Sequence, residues 1–255
     1  MPIKLSPRLM TAVPYVRRGS LVADIGTDHA YLPIYLCEKK LLTPVTTPTG
    51  ETLCAVAADI NKGPVERADQ HITEARLTPY IRTLQTDGLT GLQTYDPQDI
   101  IIFGMGGELI ASILEAAPWV KTPGKRLILQ PMTHPEKLRA YLLSAGFAII
   151  GETLSREGDR IYQTICAEPD PTPAEDRRPY GPAELMMGEA HFHSANPLQG
   201  EMAVALIDRI VRTETAARDA RNRAGQMTPH ADILLLALAG YRRELRDALR
   251  QGGNP

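Results

Sequence analysis

The sequence predicts a doubly wound α/β fold followed by a smaller α-helical hairpin. Short apolar runs alternate with helix-length amphipathic stretches over residues 21–167, as expected when helices cover both faces of a parallel sheet. Two further apolar runs are separated by too few residues for a crossover helix and predict an antiparallel pair. The last third of the chain carries helix start signals and apolar residues three and four positions apart. We therefore expect one domain over residues 1–168 and a second over 169–255.

Five apolar runs are predicted as parallel strands because each is short and most end in a small or acidic residue. Their bounds are 21–25, 55–60, 81–85, 100–103 and 126–130. Residues 147–154 and 160–167 are predicted to form a hairpin that closes the sheet, which gives seven strands in all.

Proline and glycine mark the segments outside the sheet. Residues 43–50 contain two prolines, four threonines and a valine, and predict an exposed loop before the second strand. Pro169, Pro171 and Pro173 predict a stiff linker. Beyond it, Asn196-Pro197 and Thr228-Pro229 each predict a helix start, with Asn or Thr as N-cap and Pro at the first helical position. The predicted apolar stripes of these two helices are Leu206, Ile207, Ile210 and Val211, and Leu234, Leu238, Tyr241, Leu245 and Leu249.

The composition is that of a globular chain: 43% of its 255 residues are hydrophobic. No run approaches the roughly 18 apolar residues that span a bilayer, and the first residues lack the apolar stretch of a secretory signal, so we expect a cytoplasmic protein without a membrane partner. Cys37, Cys54 and Cys166 are odd in number and widely spaced, which favours reduced thiols in the core.

The net charge of −2 argues against broad contact with nucleic acid, because phosphates are neutralised by dense Lys and Arg. Two local concentrations of basic residues leave such contact open, although each could equally be a solvated face. They are Lys4, Arg8, Arg17 and Arg18 near the start, and Arg209, Arg212, Arg218, Arg221 and Arg223 in the first arm of the predicted hairpin.

The most informative segment follows the first predicted strand. Residues 22–33 read Val-Ala-Asp-Ile-Gly-Thr-Asp-His-Ala-Tyr-Leu-Pro, which places a glycine where the backbone must approach a ligand closely. Asp28 and His29 stand where a phosphate-binding loop would present bare amides, so the segment favours a cationic ligand over a diphosphate. The other interpretation is a tight turn capped by Asp28, with His29 packed against it.

Acidic residues also end the next two strands. Asp59, followed by Ile60, can accept hydrogen bonds from both hydroxyls of a ribose, and Asp87 of Asp87-Gly88-Leu89 can accept from the exocyclic amine of an adenine. Each Asp alone could be a turn former. Acidic residues at three consecutive strand tips, with Asp24 on the first, predict one nucleoside-binding cleft.

The fourth and fifth strand tips differ in character. Gly104-Met105-Gly106-Gly107 predicts a glycine-rich turn that opens a helix, which keeps a dinucleotide ligand in consideration. Gln130-Pro131 offers an amide carbonyl that could accept from a base, or simply a solvated Gln before a strand-ending Pro. His191 and His193 lack a third ligand nearby, and we expect no metal.

At these motifs the chain resembles the bacterial tRNA (adenine-22-N1)-methyltransferase family, TrmK. The segments that carry the resemblance are residues 5–9, 23–33, 61–64, 87–89, 104–107 and 127–131, and more loosely 179–182. The resemblance implies a Rossmann-like class I methyltransferase domain with a seven-stranded, mostly parallel sheet, followed by a coiled-coil-like helical domain.

It also implies a tRNA-modifying enzyme that uses S-adenosyl-L-methionine and releases S-adenosylhomocysteine. His29, Tyr31 and Gln130 are then the candidate catalytic residues, and tRNA is the partner of the two basic stretches of a monomeric, RNA-binding protein. The candidate cofactor-binding residues are Asp24, Ile25, Gly26, Thr27, Asp28, Asp59, Ile60, Asp87, Gly88, Leu89, Gly104, Met105 and Gly106.

Three positions depart from the family pattern. Thr27 replaces a Ser, Asp59 stands where the family generally has Glu, and Met132 replaces an Asn after Gln-Pro. The last change leaves open a methyltransferase that acts on a small molecule or a protein. A nucleotide- or NAD-binding protein without methyl transfer is the remaining alternative.

Overall fold

The computed structural model describes residues 3–173, 176–188 and 197–224, and residues 239–240, 242–243 and 246–247. The chain divides into two compact units, Met1–Arg177 and Arg178–Pro255. Among the described residues, no helix combines the length and the apolar character that crossing a membrane requires.

The first unit is built on a seven-stranded sheet. The strands, in chain order, are β1 (Val22–Ile25), β2 (Val45–Thr46), β3 (Thr52–Leu53), β4 (Ala55–Asp59), β5 (Ile81–Gln85), β6 (Asp99–Gly106), β7 (Arg126–Thr133), β8 (Phe147–Glu157) and β9 (Arg160–Pro169). The helices are α1 (Pro7–Met10), α2 (Tyr31–Glu38), α3 (Lys62–Glu74), α4 (Gly107–Glu115) and α5 (Pro135–Ser144), with 3₁₀ turns at Val13–Tyr15, Leu92–Thr94 and Pro118–Lys121. The strand order is β5-β4-β1-β6-β7-β9-β8, and β2 pairs only with β3.

The first five strands of this order are parallel, and β9 is antiparallel to both β7 and β8. The predicted fold class, a mostly parallel sheet closed by a hairpin, is therefore confirmed. All four residues of β1 are buried, because helices cover both faces of the sheet.

Alternate residues of the central strands enter two separate cores. Ala23, Ile100 and Ile102 belong to one buried cluster, whereas Val22 and Ile101 belong to the other. This alternation follows from the two-residue period of a strand, and burial of each isoleucine contributes about 1.5–3 kcal/mol. The apolar runs of the sequence thus fix the layered arrangement.

β6 and β7 extend beyond their predicted ends at 103 and 130. Gly104 has a positive φ of 81°, and the two strands pair again at Met105 with Pro131 and at Gly106 with Thr133 after shifts of register. Pro131 therefore lies inside a strand rather than ending one. The glycine-rich segment is an irregular strand end, and α4 begins only at Gly107.

The insert at residues 43–50 was expected to be a loop and is instead partly a hairpin. Val45 pairs with Leu53 and Thr46 with Thr52, and the turn is closed by a 2.8 Å bond from the Thr47 amide to the Glu51 carbonyl. The β-branched residues that disfavour a helix here also favour short strands.

The linker prolines are followed by a segment that remains with the first unit. The Arg177 guanidinium donates to the carbonyls of Leu143, Asp170 and Thr172 at 3.3, 3.1 and 2.6 Å. These bonds attach Arg177, Asp170 and Thr172 to the end of α5, and the first compact unit extends past the predicted boundary at 168.

The second unit contains two described helices, α6 (Pro182–Met187) and α7 (Pro197–Ala224). Leu206 and Ile210 of the predicted stripe are buried on α7. Helix α7 carries the second group of arginines, of which Arg212 is exposed. The Asn196 cap, His191 and His193, and the stripe of the second predicted arm lie outside the described residues.

The N-terminal group of basic residues is mostly committed to the protein itself. Arg17 donates from Nε and Nη2 to the fully buried Asp99 carboxylate at 2.8 and 2.5 Å, and also to the Gln98 and Gly124 carbonyls. Arg18 donates to the Lys40 carbonyl, and Arg8 points into the fold toward Gln130. The expectation that this stretch binds tRNA stays a prediction, and Arg17 is poorly placed for it because its guanidinium group is held by the Asp99 carboxylate and two backbone carbonyls.

Candidate active site at the strand tips

The three acidic residues predicted to act together lie at the carboxyl ends of neighbouring strands. Asp24 is in β1, Asp59 ends β4, and Asp87 follows β5, and β4 lies between the other two in the sheet. Ile25 aligns with Ala58, and Asp59 aligns with Gln85. The parallel register therefore brings the three residues to one edge of the sheet.

Asp24 is buried and makes a short local hydrogen bond. Only 7% of its surface is exposed, and its Oδ2 accepts from the Thr27 hydroxyl at 2.6 Å. Burial raises the pKa of Asp24 to about 6, although the Thr27 hydrogen bond opposes that shift. The hydroxyl at position 27 thus serves to hold this carboxylate.

The loop after β1 is held against β4 by backbone bonds. The Gly26 and Thr27 amides both donate to the Ala58 carbonyl, at 2.8 and 3.1 Å. Gly26 has φ of 72°, and a Cβ there would lie 2.6 Å from the Met105 methyl carbon. Its backbone conformation requires glycine here, whereas the Met105 methyl group, at the end of a flexible side chain, could move aside.

Asp28 has a partner that the sequence did not suggest. Its carboxylate pairs with the Arg67 guanidinium of α3, and its Oδ2 lies 3.3 Å from His29 Nε2. Arg67 balances much of its charge, so Asp28 is a weaker candidate than Asp24 for attracting a cation.

His29 and Tyr31 form an aromatic cluster with His71 of α3. The ring centroids of His29 and Tyr31 are 4.9 Å apart with an interplanar angle of 9°, and His71 lies 5.2 Å from each of them. Because the three distances are nearly equal, the two imidazoles cannot lie on opposite faces of Tyr31. Tyr31 is 38% exposed, which leaves room for a further ring to stack on its side chain.

Gln130 does not offer its carbonyl to a ligand. The residue is fully buried, and its Oε1 accepts from Arg8 Nη1 at 2.9 Å and from the Gly104 amide at 3.3 Å. Its Nε2 donates to the Pro131 carbonyl at 2.8 Å. The prediction that Gln130 reads the acceptor base directly is contradicted, because both of its polar atoms are already engaged within the protein.

Two cavities lie along the sheet edge. The first, which we call the β1 cavity, has a volume of about 330 Å³, and the second, the α4 cavity, has about 450 Å³. Asp24 lines the first and Asp87 lines the second, with Asp59 at the intervening strand tip. The β1 cavity is lined by Arg8, Leu9, Asp24, Ile25, Gly26, Thr27, Asp28, His29, Tyr31, Leu32, Phe103 and Gly104. Residues of the α4 cavity include Asp87, Gly88, Leu89, Leu109, Ile113 and Trp119.

Most predicted binding residues therefore line one of these two cavities. Met105 covers Gly26, and Gly106 precedes α4, whereas Ile60 is 56% exposed beside Asp59. Arg8 and His71 were not predicted to be part of the site. Arg8 lies in one of the segments shared with the family, and that signal could have identified it.

Among the residues that the structure describes, no group of three His, Cys, Asp or Glu side chains could hold a metal ion. His134, for example, pairs with Glu136 at 3.1 Å.

Comparisons with known proteins agree with this geometry. A family model described as a methyltransferase domain matches residues 5–165, more than half of the chain. The tRNA (adenine(22)-N(1))-methyltransferase of Bacillus subtilis (strain 168) is 37% identical over 166 residues, which are 65% of this chain and 66% of that protein. The sequence match thus spans slightly less than two thirds of the relative's length.

Solved structures match over nearly the whole chain. The crystal structure of the B. subtilis m1A22 tRNA methyltransferase TrmK aligns with a TM-score of 0.82 and 29% identity, covering 97% of this chain and 99% of that one. A Streptococcus pneumoniae protein crystallised with S-adenosyl-L-methionine shares the fold, with a TM-score of 0.74, 24% identity, and coverage of 96% and 100%. The resemblance predicted from the motifs is confirmed, and this chain belongs to the methyltransferase-domain family.

Proposed function

We propose that this chain transfers a methyl group from S-adenosyl-L-methionine to N1 of adenine 22 in tRNA. The observation that carries the proposal is the row of acidic strand tips, Asp24, Asp59 and Asp87, along a cleft whose fold and motifs match the methyltransferase family. The activity of the B. subtilis relative, named by its substrate, supports this choice of acceptor.

The acidic residues and the two cavities favour one orientation of the donor along the carboxyl ends of the strands. Its methionine end enters the β1 cavity near Asp24, its ribose hydroxyls are hydrogen-bonded by Asp59, and its adenine lies in the α4 cavity near Asp87. The buried carboxylate of Asp24 attracts the donor's ammonium group in a medium of lower dielectric constant. A diphosphate would meet the same carboxylates with repulsion.

The transfer step requires positioning rather than a strong base. The N1 lone pair of the acceptor adenine attacks the methyl carbon, and the carbon–sulfur bond breaks with its electron pair remaining on sulfur. The positive charge thereby passes from the sulfonium to the adenine, and S-adenosylhomocysteine leaves neutral at sulfur. Because N1 lies on the Watson–Crick edge, the adenine must leave its pair before it reacts.

Tyr31 and His29 supply the surface for that base. The exposed Tyr31 ring, backed by the imidazoles of His29 and His71, lines the cavity that also contains Gly104. Stacking on this platform orients the adenine. The arginines of α7 are proposed to hold the tRNA backbone by its phosphates, and such a substrate makes the cytoplasm the place of action.

The test is methyl transfer from labelled donor to unmodified tRNA transcripts. We expect incorporation into a transcript with adenine at position 22 and none into the matched transcript with guanine there. Incorporation that ignores this base would refute the proposed position. Absence of incorporation, together with thermal stabilisation by S-adenosylhomocysteine, would point instead to a different acceptor, and stabilisation by NAD alone would refute donor binding.

Donor binding is expected to weaken at acidic pH because of Asp24. The pKa of this carboxyl is raised to about 6, so in the free protein the group is neutral below that pH and cannot pair with an ammonium. The affinity for S-adenosylhomocysteine should therefore fall about tenfold for each pH unit below 6 and be nearly constant from 7 to 8.

Calorimetric titration from pH 5 to pH 8 measures this effect. Asp24→Asn should bind more weakly at pH 8 and lose the dependence. His29, Asp28 and Arg8 face the same cavity, so His29→Gln serves as the control and should keep the pH dependence of the affinity.

A parallel urea series should show the fold losing stability as pH rises from about 4 to about 6, because ionising a buried acid with a raised pKa favours the unfolded chain. A pH profile unchanged in Asp24→Asn would contradict the assignment.

A further inference from the structure

The amino-acid end of the proposed donor carries two charges, and the arrangement above accounts for one. Asp24 suits the ammonium group, but the carboxylate beside it has been given no partner. We propose that Arg8, in the opening helix α1, binds the carboxylate of the donor's methionine moiety. This inference rests on the proposed function and specifies how the same site recognises an α-amino acid zwitterion.

Arg8 occupies the required place. It lines the β1 cavity together with Asp24, and it is the one Lys or Arg among the residues that line this cavity. A Cβ on Gly104, at the tip of β6, would lie 3.2 Å from Arg8 Nη1. The cavity thus presents a buried carboxylate and a guanidinium group, which are the complements of an ammonium and a carboxylate.

The guanidinium group is held in position from three directions. Nη1 donates to the buried Gln130 at 2.9 Å, Nε lies 3.4 Å from Glu157 Oε2, and the guanidinium carbon is 5.6 Å from the centre of the Tyr162 ring. These partners come from β7, β8 and β9. The Gln130 side-chain carbonyl, which accepts from Arg8, therefore orients the guanidinium group.

Arg8 still has unused hydrogen-bonding capacity. A guanidinium group has five N–H donors, of which Gln130 takes one, and Nε is buried without a hydrogen-bond acceptor. Glu157 Oε2 lies 3.4 Å from Nε and offsets part of the guanidinium charge, while both side chains remain partly exposed. A ligand carboxylate would accept from the Nη donors that Gln130 leaves free, and Arg suits it because of its planar fork.

The experiment compares two ligands that differ in the amino-acid part. S-adenosylhomocysteine contains it, whereas 5′-methylthioadenosine has the same nucleoside and thioether without it. Arg8→Ala is expected to bind S-adenosylhomocysteine about 30-fold more weakly and 5′-methylthioadenosine with unchanged affinity. Arg8→Lys should fall between, because it keeps the charge and loses the fork. Arg18→Ala is the matched control, since Arg18 lies outside the cavity and donates to the Lys40 carbonyl.

The ratio of the two affinities separates the outcomes. A partly unfolded variant would lose both ligands equally, so an unchanged ratio in Arg8→Ala and Arg8→Lys would overturn the role of Arg8 while leaving the proposed function intact. Failure of the parent chain to bind either ligand would overturn the proposed function and this inference with it. The supporting result is a loss of affinity for S-adenosylhomocysteine relative to 5′-methylthioadenosine in both Arg8 variants and not in Arg18→Ala.

Discussion

The Asp59→Ala variant is expected to bind S-adenosylhomocysteine about 100-fold more weakly than the parent chain, because it loses two charge-assisted hydrogen bonds to the ribose hydroxyls. In the structure Asp59 Oδ1 accepts from the Asn61 amide at 2.8 Å, which orients the carboxylate at the strand tip. Binding calorimetry measures the affinity, and methyl transfer at limiting donor should fall in parallel.

Two further substitutions separate charge from reach. Asp59→Glu, the residue general in the resembled family, should keep the affinity within about tenfold, since the charge remains and the side chain is one methylene longer. Asp69→Ala removes an exposed carboxylate of α3 that accepts a hydrogen bond from the Thr83 hydroxyl, and it should have no effect. If Asp59→Ala and Asp69→Ala bound S-adenosylhomocysteine with equal affinity, Asp59 would not bind the ribose, and the proposed orientation of the donor would be wrong.

The positions of the acidic residues could be predicted because they follow from local pattern. A buried apolar run gives a parallel strand, and the residue at its carboxyl end reaches a common edge regardless of which neighbours the strand has. Asp24, Asp59 and Asp87 therefore lie where the sequence placed them. The two cavities along this edge required the packing of α4 and of the loop after β1, which no local pattern describes.

The errors concern residues whose partners are far away in the sequence. Gln130 is engaged by Arg8, 122 positions earlier, and Arg17 by Asp99, 82 positions later. A polar side chain at a strand tip looks available to a ligand until such a partner is known. The insert at residues 43–50 illustrates a different limit, since a two-residue strand pairing is too short to leave a periodic signal.

The antiparallel hairpin that closes the sheet also supports the active site. Its strands β8 and β9 carry Glu157 and Tyr162, which hold Arg8 at the wall of the β1 cavity. Near the middle of the same hairpin, Arg139 of α5 is fully buried against Glu152 of β8 and Gln163 of β9. Stability of the hairpin and geometry of the cleft are therefore coupled through one structural element.

Removal of this buried arginine is expected to have the largest effect on stability. Arg139→Met should lower the free energy of unfolding by about 3–5 kcal/mol, because it removes the guanidinium group that pairs with the buried Glu152 carboxylate. The pair is close, with Nη2 2.6 Å and Nε 2.8 Å from Glu152 Oε1. The double variant Arg139→Met/Glu152→Leu should recover most of that loss, since apolar residues of similar volume need no compensating charge.

Urea unfolding followed by a probe in the first unit measures these differences. Arg82→Met is the matched control: it breaks a largely exposed ion pair with Glu51 and should cost less than about 1 kcal/mol. If Arg139→Met cost no more than this control, the buried pair would not stabilise the hairpin. If the double variant were as unstable as the single one, the loss would arise from packing rather than from an unpaired charge.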